Sequence, residues 1–340
     1  MKRIALLLPL ICISVISANS LGVSYTNVDQ QIAQFLTDLA KQDAAPIYTL
    51  TPEKARKVLN DLQASTVNTI PASVQEKIIP GGPSKEVSVT IVRPKNSKGK
   101  LPAVIFLHGG GWILGNKNTH DRLIRELANG AQVAIVFVNY TPSPEAHYPV
   151  ALEQAYTALE YVGKHGTMLQ LDPQQIAVAG DSVGGLMAAV LAQMAKDRGG
   201  PRIKHQILLY PVTDANFNTG SYNQFANGYW LTKKAMEWFW DAYAPNKGER
   251  NKPYVAPLKS SLEQLKGLPP ALIITDENDV LRDEGEEYGR QLRRAGVPVT
   301  AVRILGTIHD FAILAPLKDT TETRGAIDIA ICTLKKVFGK

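Results

Sequence analysis

Short, continuously apolar segments, each followed by a stretch of helical periodicity, constrain this chain more than any other feature. They begin near residue 101 and lie at 103–107, 133–138, 176–179, 207–210, 271–274 and 297–304, all of strand length. A strand with one wet face alternates apolar and polar residues. A strand covered on both faces has no need to, so continuous runs predict a mostly parallel sheet flanked by helices. Helical patterns fill the gaps near 119–129, 150–164, 184–197, 283–295 and 320–337. The alternation predicts a doubly wound α/β layout. Residues 87–92 alternate and read as a further strand. Residues 27–64 read as helical, with Ile32, Phe35, Leu36 and Leu39 at helical spacing. One stretch interrupts the rhythm. Residues 213–268 are far too long for a normal connection and carry Trp230, Trp238 and Trp240. They read as an inserted helical segment that joins the N-terminal helices in a cap, about 21–80 and 213–268, over the strand ends.

Composition narrows the function classes. With 45% hydrophobic and 20% charged residues the chain has ample material for a core and lacks the signature of disorder. Its net charge of +6 is spread without a Lys/Arg block, which predicts a mildly basic solvated surface and no nucleic-acid partner. Residues 1–20 stand apart: Lys2 and Arg3, an apolar run over 4–16, then small Ser17, Ala18 and Ser20. This pattern predicts a signal peptide, export to the periplasm or medium, and a mature domain over 21–340. No stable membrane insertion is expected after its removal, because the run is short for a span. Cys12 would leave with the signal, so Cys332 remains without an intramolecular partner. Two cysteines in all also leave no thiolate zinc site, and no metal or cofactor is expected.

Two motifs carry the chemistry. Gly180-Asp181-Ser182-Val183-Gly184 fits G-x-S-x-G between a predicted strand and a predicted helix, the context of a nucleophile elbow. Ser182 would sit on a sharp turn, its hydroxyl exposed and a helix N-terminus aimed at developing negative charge. His108-Gly109-Gly110-Gly111-Trp112 follows the strand at 103–107. Its glycines let backbone approach a substrate, which makes Gly109, Gly110 and Gly111 candidate oxyanion donors together with the amide of Val183. They also place no Cβ along that wall, so a branched alcohol is expected to lie against bare backbone. A phosphate-binding loop is excluded because no Lys-Ser/Thr follows. His108 reads as structural.

A serine nucleophile needs a base, and the base an orienting carboxylate. Only His205 and His309 follow Ser182. His205 opens a strand and reads as structural. His309 lies just beyond the last strand, where a side chain can reach the elbow. For the acid, the loop after 271–274 offers Asp276, Glu277, Asp279 and Asp283. Asp283 begins a helical run and reads as its N-cap. Spacing does not separate Asp276 from Asp279.

The set His-Gly-Gly-Gly, Gly-Asp-Ser-x-Gly-Gly, Asp-x-Leu-x-Asp-Glu and a late Gly-x-x-His resembles the hormone-sensitive-lipase-like family of α/β hydrolases, over roughly residues 85–338. The resemblance implies an α/β-hydrolase fold with a helical cap and a carboxylesterase or acetyl-hydrolase activity. Among the acids it singles out Asp279, and it maps the family's late histidine to His309. It makes the cap a pocket wall, with Trp112, Tyr229 and Trp230 as substrate-binding candidates and Trp238 and Trp240 beside them. Two positions depart from the family pattern. Val183 stands where Ala is usual and thickens the wall beside the oxyanion site. Asp310 stands where Gly follows the histidine, a carboxylate that raises the base's pKa or competes with Asp279. The expected reaction is hydrolysis of soluble, short-acyl esters through an acyl-enzyme. An amidase or sugar deacetylase with the same triad is the alternative, and a non-catalytic small-molecule binder is a weaker one. The expected partners are a small-molecule ester and, as a candidate assembly, a second copy of the chain.

Overall fold

The structure, a computed structural model, describes Tyr25 and residues 27–340. The proposed signal segment lies outside them. Eight strands form one sheet in the order β1-β2-β4-β3-β5-β6-β7-β8. They are β1 Ala72–Pro80, β2 Glu86–Pro94, β3 Leu101–Leu107, β4 Ala134–Val138, β5 Leu171–Asp181, β6 Ile203–Leu209, β7 Ala271–Asn278 and β8 Val299–Ile308. The β1–β2 and β2–β4 pairs are antiparallel, and every pair from β4 to β8 is parallel.

The continuous apolar runs have a direct cause. Successive side chains point to opposite faces of a strand. In β3, Ala103, Ile105 and Leu107 enter one core with the helices α4 Val150–His165, α5 Val183–Asp197 and α9 Arg282–Arg294. Val104 and Phe106 enter the other, with α3 Asp121–Ala131 and α10 Thr321–Val337. Both faces are dry, so neither set can be polar. The strand that sequence periodicity does not pick out is β1. It pairs with β2 alone and is exposed along most of its length, so Gln75, Glu76 and Lys77 carry no burial pattern.

The N-terminal helices are α1 Gln30–Lys41 and α2 Pro52–Gln63. Asp29 caps the first, and Thr51, followed by Pro52, caps the second. The long insertion holds α6 Gly220–Gln224, α7 Lys233–Tyr243 and α8 Leu262–Leu265. Among the described residues it touches the N-terminal region at several points, among them the edge-on rings of Tyr25 and Tyr229. The Tyr25 hydroxyl donates to the Gly228 carbonyl, Phe35 packs on Trp230, and Lys234 lies over the Tyr48 ring. No helix among the described residues is long and apolar enough to cross a membrane.

One capping expectation is corrected. Asp283 does not cap its own helix, which begins one residue earlier at Arg282. The amide of Leu281 donates to Asp279 Oδ1 at 3.0 Å, so the upstream carboxylate supplies that turn. Asp283 instead accepts from the Ser221 amide and anchors α6.

Candidate active site

Ser182 lies between the end of β5 and the start of α5, with φ 54° and ψ −123°. This is a sparsely populated backbone region for a residue with a side chain. The turn holds because its neighbours leave no alternative. A Cβ on Gly184 would lie 1.9 Å from the Leu107 carbonyl oxygen, and one on Gly180 would lie 2.2 Å from that of Gly184. Strand, turn and helix are therefore packed backbone to backbone. Val183 is the first residue of α5, where an amide has no acceptor within its own helix.

His309 stands just past β8, and its ring bridges two elements. Nδ1 is 2.8 Å from Asp279 Oδ2, and Nε2 is 2.9 Å from Ser182 Oγ. Asp279, His309 and Ser182 are all buried. Asp276 also lies in this region, but its carboxyl oxygens bond to nothing among the described residues. Burial alone would lower the His309 pKa. The facing Asp279 and Asp310 outweigh it, and the value is pushed up to about 9. Asp310 Oδ1 lies 3.4 Å from Nε2, and its Oδ2 accepts from the Trp230 indole at 3.0 Å. Tyr210 stands edge-on to the imidazole at 5.0 Å.

The glycine loop is tied to the elbow by a residue that sequence reasoning did not single out. Asp181 accepts from the Gly109 amide at 3.1 Å through Oδ1, and its Oδ2 lies 3.1 Å from His120 Nε2. Both side chains are shut from solvent. Burial opposes a charge on His120, but the Asp181 carboxylate more than compensates and raises its pKa. Asp181 is visible in the motif as the x before Ser182. His120 lies 61 residues away, and nothing in its local pattern marks it.

Two expectations about the loop are corrected here. The Gly109 amide is committed to Asp181, which leaves Gly110, Gly111 and Val183 as the candidate donors. The bare-wall picture also fails. A Cβ on Gly110 would meet the Leu114 backbone at 2.7 Å, and one on Gly111 the Phe239 ring at 2.1 Å. The missing side chains point into the protein, and the glycines serve close packing. His108 is enclosed beneath the loop, stacked on Tyr140 at 4.2 Å, and burial holds its pKa down to about 3. His205 sits partly buried on β6, where burial lowers its pKa to about 4.

The pocket candidates separate. The Trp112 ring stacks on Tyr243 at 4.0 Å and meets Trp240 edge-on, 1% exposed. It is occupied in the core, which corrects its assignment as a substrate-facing side chain. Trp240 is buried in the same cluster. Tyr229 and Trp230 are half-buried, and Trp230 is bonded to Asp310. A cleft of about 840 Å³ contains none of these groups; it lies at the opposite ends of the strands, beside Lys196, Arg202, Lys204 and His205. Among the described residues, Asp276, Asp279 and His309 bring metal-ligand atom types within 4.8 Å of one another. Both ring nitrogens of His309 already face protein partners, so the grouping is organised for handling a proton.

Comparison with known proteins agrees with this geometry. A family model described as the alpha/beta hydrolase fold matches residues 104–313. An alpha/beta hydrolase of Acanthamoeba polyphaga mimivirus is 42% identical, covering 94% of this chain and 91% of that protein. The carboxylesterase NlhH of Mycobacterium tuberculosis is 35% identical, over 80% of this chain and 87% of its own. A thermostable esterase from Pseudomonas putida superposes with a TM-score of 0.90 at 48% identity, covering 92% and 98%. The chain thus belongs to the hormone-sensitive-lipase-like family of alpha/beta hydrolases and is a carboxylic ester hydrolase.

Proposed function

We propose that Ser182, His309 and Asp279 hydrolyse soluble, short-acyl esters through a covalent acyl-enzyme. The observation that carries this reading is the unbroken chain of contacts, Asp279 to His309 at 2.8 Å and His309 to Ser182 at 2.9 Å. With its Nδ1 proton donated to Asp279, the imidazole accepts the Ser182 proton at Nε2 as Oγ attacks the ester carbonyl. The tetrahedral oxyanion takes hydrogen bonds from the amides of Gly110, Gly111 and Val183. His309 then passes its proton to the leaving alcohol. Water repeats the sequence on the acyl-enzyme and releases the acid.

The N-terminal helices and residues 213–268 act as the cap in this reading, with Tyr229 and Trp230 nearest the substrate; the expected cap bound of about 80 is corrected, because Ala72–Pro80 is strand β1 of the sheet. The test is a panel of p-nitrophenyl esters from acetate upward, run on native protein and on Ser182→Ala. The rate should fall with chain length. The variant should lose several orders of magnitude in kcat, about 10⁶-fold by analogy with triad knockouts, while keeping its fold. Near-native turnover in folded Ser182→Ala would overturn the assignment. Matched amides faster than esters would move the reading to an amidase.

A further inference from the structure

Asp276 sits on β7 immediately before the irregularity between residues 276 and 278. It is completely buried, and neither carboxyl oxygen has a hydrogen-bond partner among the described residues. A buried polar group in that state is costly to keep. One of its oxygens lies within 4.8 Å of both an Asp279 oxygen and a ring nitrogen of His309. The groups that bear on it come from several elements: Asp279 beyond β7, Asp310 and His309 beyond β8, and Tyr210 after β6, whose hydroxyl also lacks a partner among the described residues. Arg122 of α3 acts on the same tyrosine. Three carboxyl groups thus surround one imidazole. Asp279 holds Nδ1, Asp310 stands near Nε2, and Asp276 has no bond of its own.

We propose that Asp276 is a reserve positioning residue for His309, placed beside the Asp279 pair and able to take over the orientation of the imidazole when Asp279 is lost. The proposal rests on the triad reading above. Burial and the Asp279 and Asp310 carboxylates push the Asp276 pKa well up, so in the native site it holds its proton to higher pH than an ordinary carboxyl. Removing Asp279 removes one of those charges and leaves the Nδ1 proton without an acceptor. Asp276 then ionises more readily where an anion is wanted. A hydrogen bond needs about 2.8 Å. With the separation from a ring nitrogen no more than 4.8 Å, the gap to close is at most about 2 Å, within what rotation of a carboxylate side chain between staggered positions covers.

The experiment is a double-mutant cycle on kcat/KM, using native protein, Asp276→Asn, Asp279→Ala and the double variant. Asparagine keeps the size of Asp276 and removes its charge. Asp276→Asn should cost at least tenfold more in the Asp279→Ala background than in the native one. The loss should fall on kcat, with KM changed less than threefold, because Asp276 touches no substrate. Asp276→Glu in the Asp279→Ala background should retain activity that Asp276→Asn loses. Equal factors in both backgrounds would overturn the proposal, as would equal activity of the asparagine and glutamate variants there. Native activity in both Asp279→Ala and the double variant would instead overturn the triad reading, because no carboxylate would then be needed to orient His309, so the two failures are distinct. Asp279 also bonds the Leu281 amide, so the cycle is repeated with Asp279→Asn, which keeps an oxygen for that turn.

Discussion

At the scale of single residues, the site is governed by carboxylates crowded round one imidazole. The pKa of His309 is pushed up to about 9, so over much of the neutral range it holds a proton that, in the proposed mechanism, it must lose before accepting another from Ser182. The kcat/KM of the free enzyme should therefore rise with pH, with a midpoint above the ordinary histidine value of about 6.5. Asp310→Asn removes one of the charges responsible and should move that midpoint downward; a limb unmoved by the substitution would show that Asp310 does not act on the base. The same shift has a consequence for stability. A histidine whose folded pKa is raised lends stability that is fully present below about 6.5 and lost as pH rises through the folded value. Inactive Ser182→Ala should accordingly lose denaturation midpoint between about pH 6.5 and 9. The placement of Ser182 and His309 side by side was legible from motif and chain order, because the elbow has a local signature and few histidines follow it. Spacing left Asp276 and Asp279 level, and the structure separates them only through the direction each side chain takes. The direction of the missing Cβ atoms in Gly109–Gly111 was illegible for the same reason.

At the scale of elements, strands buried on both faces announce themselves and exposed ones do not. Five of the apolar runs mark β3 to β7, whose apolar residues are buried, and β1 carries no burial pattern to find; β8 is the exception, marked by its run although most of it is exposed or half-exposed. Contacts between distant elements are equally silent. The bond from Asp181 to the glycine loop and its pairing with His120 join β5, the segment after β3 and the start of α3, and no local pattern encodes such a union. Because both members are shut from solvent, breaking the pair strands a buried carboxylate. His120→Ala should destabilise the protein by about 3 kcal/mol or more, measured by urea unfolding. It should also lower kcat more than it raises KM, because Asp181 then loses the partner that fixes it under the loop. A loss below about 1 kcal/mol would mean that the pair behaves like a surface ion pair.

At the scale of the whole molecule, every group in the proposed chemistry is delivered by the C-terminal end of a parallel strand. The glycine loop follows β3, Ser182 follows β5, Asp279 follows β7 and His309 follows β8. We propose that the exported chain is cut near residues 18–20, which N-terminal sequencing checks; Met1 on exported protein would reject it. The mature chain should then titrate with one equivalent of thiol reagent, at exposed Cys332. That cysteine belongs to the second half of α10, next to Thr333, and Thr333 borders the cleft at the far ends of β6 and β7. The proposed chemistry thus sits at one end of the sheet, and Cys332 lies on α10 near the other. Coupled to a maleimide surface through Cys332, the molecule would stand with the proposed site outward, and an immobilised layer should keep nearly the turnover per molecule that it has in solution.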